Sequence, residues 1–363
     1  MKSVLIVDDS DDARSLVAAC LKKMGYESES APDGTQAIEL AARKKYDLIL
    51  LDIEMPGLDG FQTLERIREA GASQNSNVMM VTAHSDKESV AKAIALGACD
   101  FVVKPFDSGQ FLHKVSRYIN QEVEQEWKKL KPEQQAVLSI TLTTLDKAFK
   151  SVLENHPLPY EDFRETSEKI MTIIEKGDVK GVLDAVKEHD SYTFVHSLRV
   201  GIFLSMFMER LAGFNREDIM TLTSGGIIHD VGKAKTPLKI LNKPGSFEPE
   251  EWREMKNHVD YTVEILKKTP GIPAPVMEIA WCHHEKLDGS GYPRGLKGDE
   301  ISVLARMSAI ADVYVALTDK RVYKPGFPPE KALEMMRNPG HLDQALVTEF
   351  AAIISELYGI TIP

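Results

Sequence analysis

Carboxylate, hydroxyl and lysine side chains follow short apolar runs in the first third of the chain. Asp8 and Asp9 come directly after VLIV, and Asp52 comes after LILL. Thr82 ends the run that begins VMMV, and Lys104 follows DFVV. Because ligands of open parallel sheets sit at the carboxyl ends of the strands, we expect these side chains to share one crevice. Hard oxygen ligands of this kind suit Mg²⁺, which completes its coordination with waters and a phosphate oxygen.

These groups predict a site that accepts a phosphoryl group. Asp52 is the expected nucleophile, and Asp8, Asp9 and Asp52 are the expected magnesium ligands. Mg²⁺ and Lys104 would stabilise the transferred charge. Acids at strand ends also serve as helix N-caps, and Thr82 could cap the helix that follows it. The residue types alone therefore leave a capping role open.

Histidine and aspartate residues form a second candidate site, in the last half of the chain. Histidine is the commonest metal ligand, and aspartate supplies a bridging oxygen when two ions share a site. In the string HDVGK, His229 and Asp230 can reach two neighbouring ions if they lie near a helix end, and the adjacent pair at 283 and 284 repeats that geometry. A lone histidine on an apolar helix is more often a core residue. The whole candidate set is His196, His229, Asp230, His258, His283, His284 and Asp312.

Alternating apolar runs and helical patterns indicate how the first site is positioned. From residue 4 to about 105, four short apolar runs are separated by amphipathic stretches. Continuous apolar runs are typical of strands that are buried on both faces. We therefore predict a doubly wound, flavodoxin-like α/β domain with a parallel sheet over residues 1–120.

After this domain the periodicity is helical. The charged stretch QEVEQEWKKLK predicts a helical connector over residues 121–153, followed by an all-α domain of HD type over 154–363. An apolar stripe in the connector has spacings of 4, 3, 4 and 3 residues and consists of Leu138, Leu142, Leu145, Phe149 and Val152. This stripe fits a coiled-coil dimer seam and a core-facing helix equally well.

The composition excludes several classes of protein. The 363 residues include 44 basic and 55 acidic side chains, with a net charge of −11. This balance argues against broad binding to DNA or to an anionic membrane. No apolar stretch approaches the roughly 20 residues that span a bilayer, and the N-terminus lacks a signal-peptide pattern, so we expect a cytoplasmic protein. Cys20, Cys99 and Cys282 predict neither a disulfide framework nor a thiolate zinc site.

Four strings of the first domain occur in a fixed order: VDDS, LLDIEMPGLDG, MVTAHS and VVKPF. In this order they resemble the receiver domain of response regulators over residues 1 to about 120. The resemblance implies that a sensor histidine kinase phosphorylates Asp52 and that Thr82, Phe101 and Lys104 act as the switch. It also implies a cis peptide bond between Lys104 and Pro105.

Five strings surround the candidate ligands of the second domain: YTFVHSLRV, IIHDVGK, MKNHVDYT, CHHEKLDGSGYPRG and ADVYVALTDKRVYK. Over residues 150 to about 340 they resemble the HD-GYP family, a branch of the HD phosphohydrolases. The resemblance implies hydrolysis of cyclic di-GMP to pGpG, with GMP as a further product left open. It also implies two divalent metals, and ligands without thiolate favour iron or manganese over structural zinc.

The same resemblance assigns a role to each candidate residue. Asp230 would bridge the two metals. Lys233 lies one turn after His229 and would contact the phosphate or the departing oxygen, so Lys233 and Asp230 are the expected catalytic residues. The first metal would be held by His196, His229, Asp230 and Asp312, and the second by Asp230, His258, His283 and His284. Arg321 and Lys324 would contact the nucleotide, and the signature loop would contain Gly291, Tyr292 and Pro293.

The sequence departs from the family pattern at two positions. Some members place a glutamate four residues before the first histidine, where it can bind a third ion, and this chain has Tyr192 there. We therefore expect two metals. A second acid that is usual in the ADVYVAL string is replaced by Val315, which puts support of the ligands and turnover in doubt.

The combined expectation is a two-component response regulator in which phosphorylation of Asp52 controls a cyclic di-GMP phosphodiesterase. One alternative is a catalytically weak sensor that binds cyclic di-GMP and acts through a protein partner. Another is a phosphohydrolase of a different cyclic dinucleotide, which would use the same ligands. The expected partners are a sensor kinase, a second copy of the chain through the connector, and a diguanylate cyclase.

Overall fold

The computed structural model describes residues 2–24, 26–69, 71–83, 87–106, 108–189, 191–211, 213–241, 243, 245–319, 326–337 and 340–361. The chain divides into two compact units, Met1–Glu122 and Val123–Pro363. Within the described ranges, no helix combines the length and the apolar character needed to cross a membrane.

The first unit is built on five strands and five helices among the described residues. The strands are β1 Ser3–Val7, β2 Glu27–Ala31, β3 Leu48–Leu51, β4 Asn77–Thr82 and β5 Asp100–Val103. The helices are α1 Asp11–Lys23, α2 Gly34–Arg43, α3 Gly60–Glu69, α4 Lys87–Ala95 and α5 Ser108–Ile119. All strand pairs are parallel, in the order β2-β1-β3-β4-β5. This is the flavodoxin-like order, so the predicted α/β fold is confirmed.

The apolar runs explain the centre of this sheet. Every residue of β1 and β3 is buried, as the continuous apolar runs predict. Asp8 and Asp52 come directly after these two strands, which pair with each other. The topology therefore places both acids at one edge of the sheet.

The second unit is helical, as predicted. Its helices, with the segment at the boundary, are α6 Gln121–Glu126, α7 Pro132–Leu153, α8 Tyr160–Glu175, α9 Val179–Val186, α10 Tyr192–Arg210, α11 Arg216–Ile228, α12 Leu238–Leu241, α13 Pro249–Lys268, α14 Ala274–Cys282, α15 Val303–Thr318, α16 Pro329–Met336 and α17 Gln344–Tyr358. Short 3₁₀ helices cover Trp127–Lys129, Val231–Lys235 and Gly298–Glu300.

The apolar stripe of α7 lies within the second unit. Leu138, Leu145 and Val152 are buried in its hydrophobic core, and Leu142 and Phe149 pack against that core while partly buried. The helix runs beside α8, and Thr144 and Thr166 join the two through their hydroxyls at 3.1 Å. This packing supports the core-facing interpretation of the stripe. It also places most of the predicted connector inside the compact helical unit.

Candidate functional site

The carboxyl edge of the sheet gathers the predicted acids of the first unit around Lys104. Its Nζ atom lies 2.6 Å from Oδ2 of Asp8 and 2.6 Å from Oδ2 of Asp52. Asp8 and Asp52 are buried, whereas Asp9 is exposed. Carboxylate oxygens of these three acids lie within 4.8 Å of one another. The group is therefore compact enough for one cation and open on the side of Asp9.

Burial and ion pairing act in opposite directions on the pKa values of this group. Burial raises the pKa of Asp52, and Lys104 opposes that effect. Burial alone would lower the pKa of Lys104, but its hydrogen bonds to Asp52 and Asp8 outweigh it and raise the pKa. The lysine is thus held as a cation between two carboxylates.

The structure places the other predicted receiver residues close to this edge. Thr82 is buried at the end of β4, and its carbonyl accepts a hydrogen bond from the amide of Lys104 at 2.7 Å. Phe101 is half-buried on β5, with Nζ of Lys114 5.4 Å from its ring centre. The peptide bond between Lys104 and Pro105 is cis, as the resemblance implies.

The helical unit brings the seven predicted histidine and aspartate residues together from five helices and one turn. Two groups have ligand atoms within 4.8 Å of one another, and both contain Asp230, which lies between α11 and the following 3₁₀ helix. The first group is His196, His229 and Asp230, and the second is Asp230, His258, His283 and His284.

Asp230 turns one carboxylate oxygen toward each group. Oδ2 lies 3.3 Å from Nε2 of His229 and 3.5 Å from Nε2 of His196. Oδ1 lies 3.2 Å from Nε2 of His258 and 3.8 Å from Nε2 of His283. This is the arrangement that a carboxylate bridging two cations requires.

Asp312 on α15 lies across from Asp230 and also meets both groups. Its Oδ1 is 3.0 Å from Nε2 of His196, and its Oδ2 is 3.5 Å from Nδ1 of His284. The Nε2 atoms of His284 and His258 are 3.2 Å apart. His284 has about a quarter of its side chain exposed, whereas the other histidines are enclosed. The site therefore opens beside His284.

Backbone carbonyls set the ring orientation of three histidines. His229, His258 and His283 each place Nδ1 on the carbonyl three residues earlier, at 2.7, 2.6 and 3.0 Å. A carbonyl can only accept, so Nδ1 carries the hydrogen. In the neutral rings, Nε2 then keeps a lone pair that points toward the centre of the site.

Burial and charge shift the pKa values of the site in opposite directions. Burial lowers the pKa of His283 well below its usual value and that of His284 to about 3. Burial would also lower the pKa of His229, but the carboxylates of Asp230 and Asp312 outweigh it and raise the pKa to about 10. Burial would raise the pKa of Asp230, yet Lys233 and His229 hold it well below its usual value. The buried carboxylates of Asp230 and Asp312 are therefore stabilised by positive charge beside them.

The HDVGK turn packs tightly against α13. A side chain on Gly232 would place its Cβ 2.1 Å from the carbonyl oxygen of His258, so only glycine fits. The amide of Gly232 donates to Oγ1 of Thr262 at 2.9 Å. This approach brings Asp230 and His258 together. Lys233 forms an ion pair with Asp230.

The signature loop is held by Glu285, whose role the sequence interpretation missed. Its buried carboxylate accepts hydrogen bonds from the amides of Arg294 at 2.7 Å and Leu296 at 3.0 Å. Gly291 is required because a Cβ there would lie 2.4 Å from the backbone nitrogen of Lys286. The only sequence signal was an acid directly after the paired histidines.

The loop packs against the open side of the site. The ring centre of Tyr292 lies 4.6 Å from that of His284, and a cis bond joins Tyr292 to Pro293. A cavity of about 600 Å³ begins there, lined by His283, His284, Tyr292 and Asp312. Its volume is within the usual range for small-molecule sites. The lining also includes exposed Trp252 and apolar side chains, among them Leu317, Met335 and Met336.

Comparisons with known proteins agree with this geometry. Residues 4–116 match the family described as response regulator receiver domain, and residues 185–346 match the HD domain. A "Probable cyclic di-GMP phosphodiesterase" of Vibrio cholerae is 30% identical over 96% of this chain and 77% of its own length. A "Cyclic di-GMP phosphodiesterase" of Thermotoga maritima is 32% identical over 91% of this chain and 84% of its own length.

The chain belongs to the HD-GYP response regulators. A third relative is similar over a shorter stretch of 150 residues. It is "3'3'-cGAMP-specific phosphodiesterase 3" of Vibrio cholerae, which is 39% identical over 41% of this chain and 32% of its own length.

The helical site of this HD-GYP protein fits divalent metal ions. Nε2 of His283 is buried and has no hydrogen-bond partner among the described residues. The donors are imidazole nitrogens and carboxylate oxygens, a set that transition metals accept. A bound cation would also supply the positive charge that Asp230 and Asp312 now draw from neighbouring side chains.

Four further positions were singled out in the sequence. Arg321 and Lys324 lie outside the described residues. Tyr192 begins α10, one turn before His196. Val315 is fully buried in the hydrophobic core and does not line the cavity. The replacement of the usual acid by this apolar side chain therefore does not change the lining of the cavity.

Proposed function

We propose that this chain is a two-component phosphodiesterase that hydrolyses cyclic di-GMP to pGpG under the control of phosphorylation at Asp52. The observation that carries the proposal is Asp230, whose two oxygens face separate groups of histidines in a buried site. A shared carboxylate between two nitrogen-rich half-sites is suited to a binuclear metal centre. The names of the full-length relatives supply the substrate.

In this proposal the first metal is held by four residues of one group and the second by four of the other, with Asp230 common to both. The metals, when bound, supply a nucleophile at neutral pH and neutralise charge that develops on the phosphate. Iron or manganese suits the nitrogen and oxygen donors. The first set is His196, His229, Asp230 and Asp312, and the second is Asp230, His258, His283 and His284.

Other residues orient the substrate and its charge. Lys233 is only slightly exposed and lies on Asp230, so its ammonium is available to a phosphate oxygen at the same place. Tyr292 packs on His284, and both line the cavity. The apolar side chains of the cavity suit a planar base. Arg321 and Lys324 are the proposed nucleotide contacts on the strength of the family pattern.

In the receiver, Asp52 is the proposed phosphoacceptor and a sensor histidine kinase the proposed phosphodonor. Mg²⁺ would be held by Asp8, Asp9 and Asp52, where the exposed Asp9 leaves room for waters. Lys104 already contacts Asp52 and would pair with the phosphoryl group once it is attached. Thr82 and Phe101 are the proposed switch residues that report this change.

Hydrolysis of another cyclic dinucleotide is a second candidate function. It is favoured by the cGAMP-specific relative, whose identity to this chain is 39% over 150 residues, against 30% over 372 residues for the first full-length relative. A purely binding role is less well supported. The argument for it is that Val315 replaces an acid that is usual in the family, and Val315 is not among the residues that line the cavity.

One experiment separates these functions. Protein purified under low oxygen is analysed for metal content and incubated with cyclic di-GMP or with 3'3'-cGAMP, and the products are separated by chromatography. We expect about two ions per chain, since Tyr192 does not provide a carboxylate for a third, and release of pGpG from cyclic di-GMP. Faster cleavage of cGAMP would favour the second candidate. Binding without any product would favour a sensor.

A further inference from the structure

A buried ion pair lies behind the first group of ligands. Arg199 on α10 is 1% exposed and Asp319, directly after α15, is 4% exposed. The guanidinium of Arg199 pairs with Oδ1 of Asp319 and donates a second hydrogen bond to Oγ1 of Thr318 at 2.9 Å. The first contact anchors the carboxylate, and the second anchors the guanidinium that holds it.

The other oxygen of this carboxylate faces a proposed metal ligand. Oδ2 of Asp319 lies 3.4 Å from Nδ1 of His196, a close polar approach that lacks the geometry of a hydrogen bond in this structure. The opposite nitrogen of the same ring, Nε2, lies 3.0 Å from Asp312 and 3.5 Å from Asp230. His196 thus stands between a fixed carboxylate and the ligand set.

This environment differs from that of the other enclosed histidines. His229, His258 and His283 place Nδ1 on neutral backbone carbonyls of their own helices. His196 instead faces the carboxylate of Asp319, which directly follows a different helix, α15. A carboxylate behind a ligating imidazole fixes the tautomer and raises the basicity of the coordinating nitrogen.

Stability alone does not account for the pair. A buried ion pair is often no more stabilising than well-packed apolar side chains of the same volume, because both charges must leave water. A buried ion pair at this place is explained if the carboxylate of Asp319 positions the ring of His196.

We propose that Asp319, held by Arg199, is a positioning residue that orients His196 and strengthens metal binding at the first half-site. The second half-site, with His258, His283 and His284, does not depend on it. The inference rests on the proposed two-metal function. It predicts that a substitution of Asp319 weakens the binding of one metal and leaves the binding of the other unchanged.

The test is a titration of metal-free full-length protein with Co²⁺, followed by its visible absorption and by calorimetry. His196→Gln identifies the binding step that belongs to the first half-site. Asp319→Asn keeps the shape of the side chain and removes its charge, and we expect that same step to weaken roughly 10-fold to 100-fold while the other step is unchanged. Arg210→Ala is the matched control, since Arg210 lies on the same helix and pairs with Glu349 and Glu356 at the surface. We expect it to bind as the wild type does.

The fold of each variant is checked by circular dichroism of the metal-free form. Asp319→Asn leaves the guanidinium of Arg199 buried without its charge partner, so the double variant Arg199→Met, Asp319→Asn, which buries no unpaired charge, should show the same loss. If neither variant folds, ¹⁵N-histidine spectra of the wild type with Zn²⁺ bound still test whether His196 binds the metal through Nε2, as the inference requires. The signal missing from His196→Gln should carry hydrogen on Nδ1.

Two results would overturn the inference. One is a folded Asp319→Asn protein that binds both ions with unchanged affinity, and the other is a His196 ring with hydrogen on Nε2. Failure of the proposed two-metal centre has a different signature, because the wild-type protein would then bind no pair of ions at all.

Discussion

The two sites of this chain hold their carboxylates in opposite ways. In the receiver, a lysine spans Asp8 and Asp52 while Asp9 is exposed, so the site is open on one side. In the helical unit, Asp230 and Asp312 are enclosed by histidines whose rings are fixed by contacts behind them.

This difference indicates two kinds of metal chemistry. An open carboxylate site suits Mg²⁺, which keeps several waters and exchanges readily with a phosphorylated ligand. A buried site with oriented lone pairs suits a resident transition metal, since the protein has already met the cost of orienting the ligands. The geometry of the receiver site therefore suits a transient event, and that of the helical site suits a permanent centre.

Of the changes considered, Asp230→Ala should have the largest effect on metal content and hydrolysis. A small effect would contradict the contrast between the two sites. Both half-sites lose a ligand at once, so we expect loss of both metals and of all measurable hydrolysis. Elemental analysis and a product assay check this outcome. Asp260→Ala, at an exposed position of α13, is the control and should keep both properties. A variant that retained two tightly bound ions would exclude the bridging role.

Asp52→Asn should abolish phosphorylation of the receiver and leave the metal content of the helical unit unchanged. The reason is that an amide cannot act as the nucleophile toward a phosphodonor. Incubation with a small phosphodonor and Mg²⁺, followed by measurement of acid-labile phosphate, tests this expectation. Asp12→Asn, at an exposed position of α1, should be phosphorylated normally. Acid-labile phosphate on Asp52→Asn would show that another residue accepts the group.

Lys233→Ala should separate catalysis from metal binding. Its ammonium contacts Asp230 but is not among the proposed ligands, so both ions should remain. Removing one charge-stabilising group typically costs about 100-fold to 1000-fold in turnover. The measurement is kcat beside metal content, with Lys235→Ala on the same 3₁₀ helix as the control. Unchanged turnover would remove Lys233 from the catalytic assignment.

Removal of metal should lower the free energy of unfolding modestly, and this loss of stability should be confined to the helical unit. A ligand present at about 100 times its Kd adds about 2.7 kcal/mol to the free energy of unfolding. Chelation should therefore increase amide hydrogen exchange in α10, α11, α13, α14 and α15 and leave β1 and β3 unchanged. Unchanged exchange in those five helices would argue that the helical site holds no resident metal.

Much of this arrangement could be predicted from the sequence because it is local. Apolar runs of strand length followed by acids predict the sheet and place Asp8 and Asp52 at its carboxyl edge. The string HDVGK predicts a ligand pair near a helix end, and His229 is indeed the last residue capping α11. The stripe of α7 was ambiguous, since periodicity reports which face is apolar and not what covers it.

The amino-acid sequence by itself determined the chemical types at both sites, the parallel α/β fold of the first unit and the helical character of the second. Only the tertiary structure decided that each oxygen of Asp230 faces a different group, that Glu285 holds the signature loop, and that the Arg199 pair stands behind His196. The physical reason is distance along the chain. These contacts join separate segments, and their geometry follows from how whole helices pack, which no local pattern of residues records.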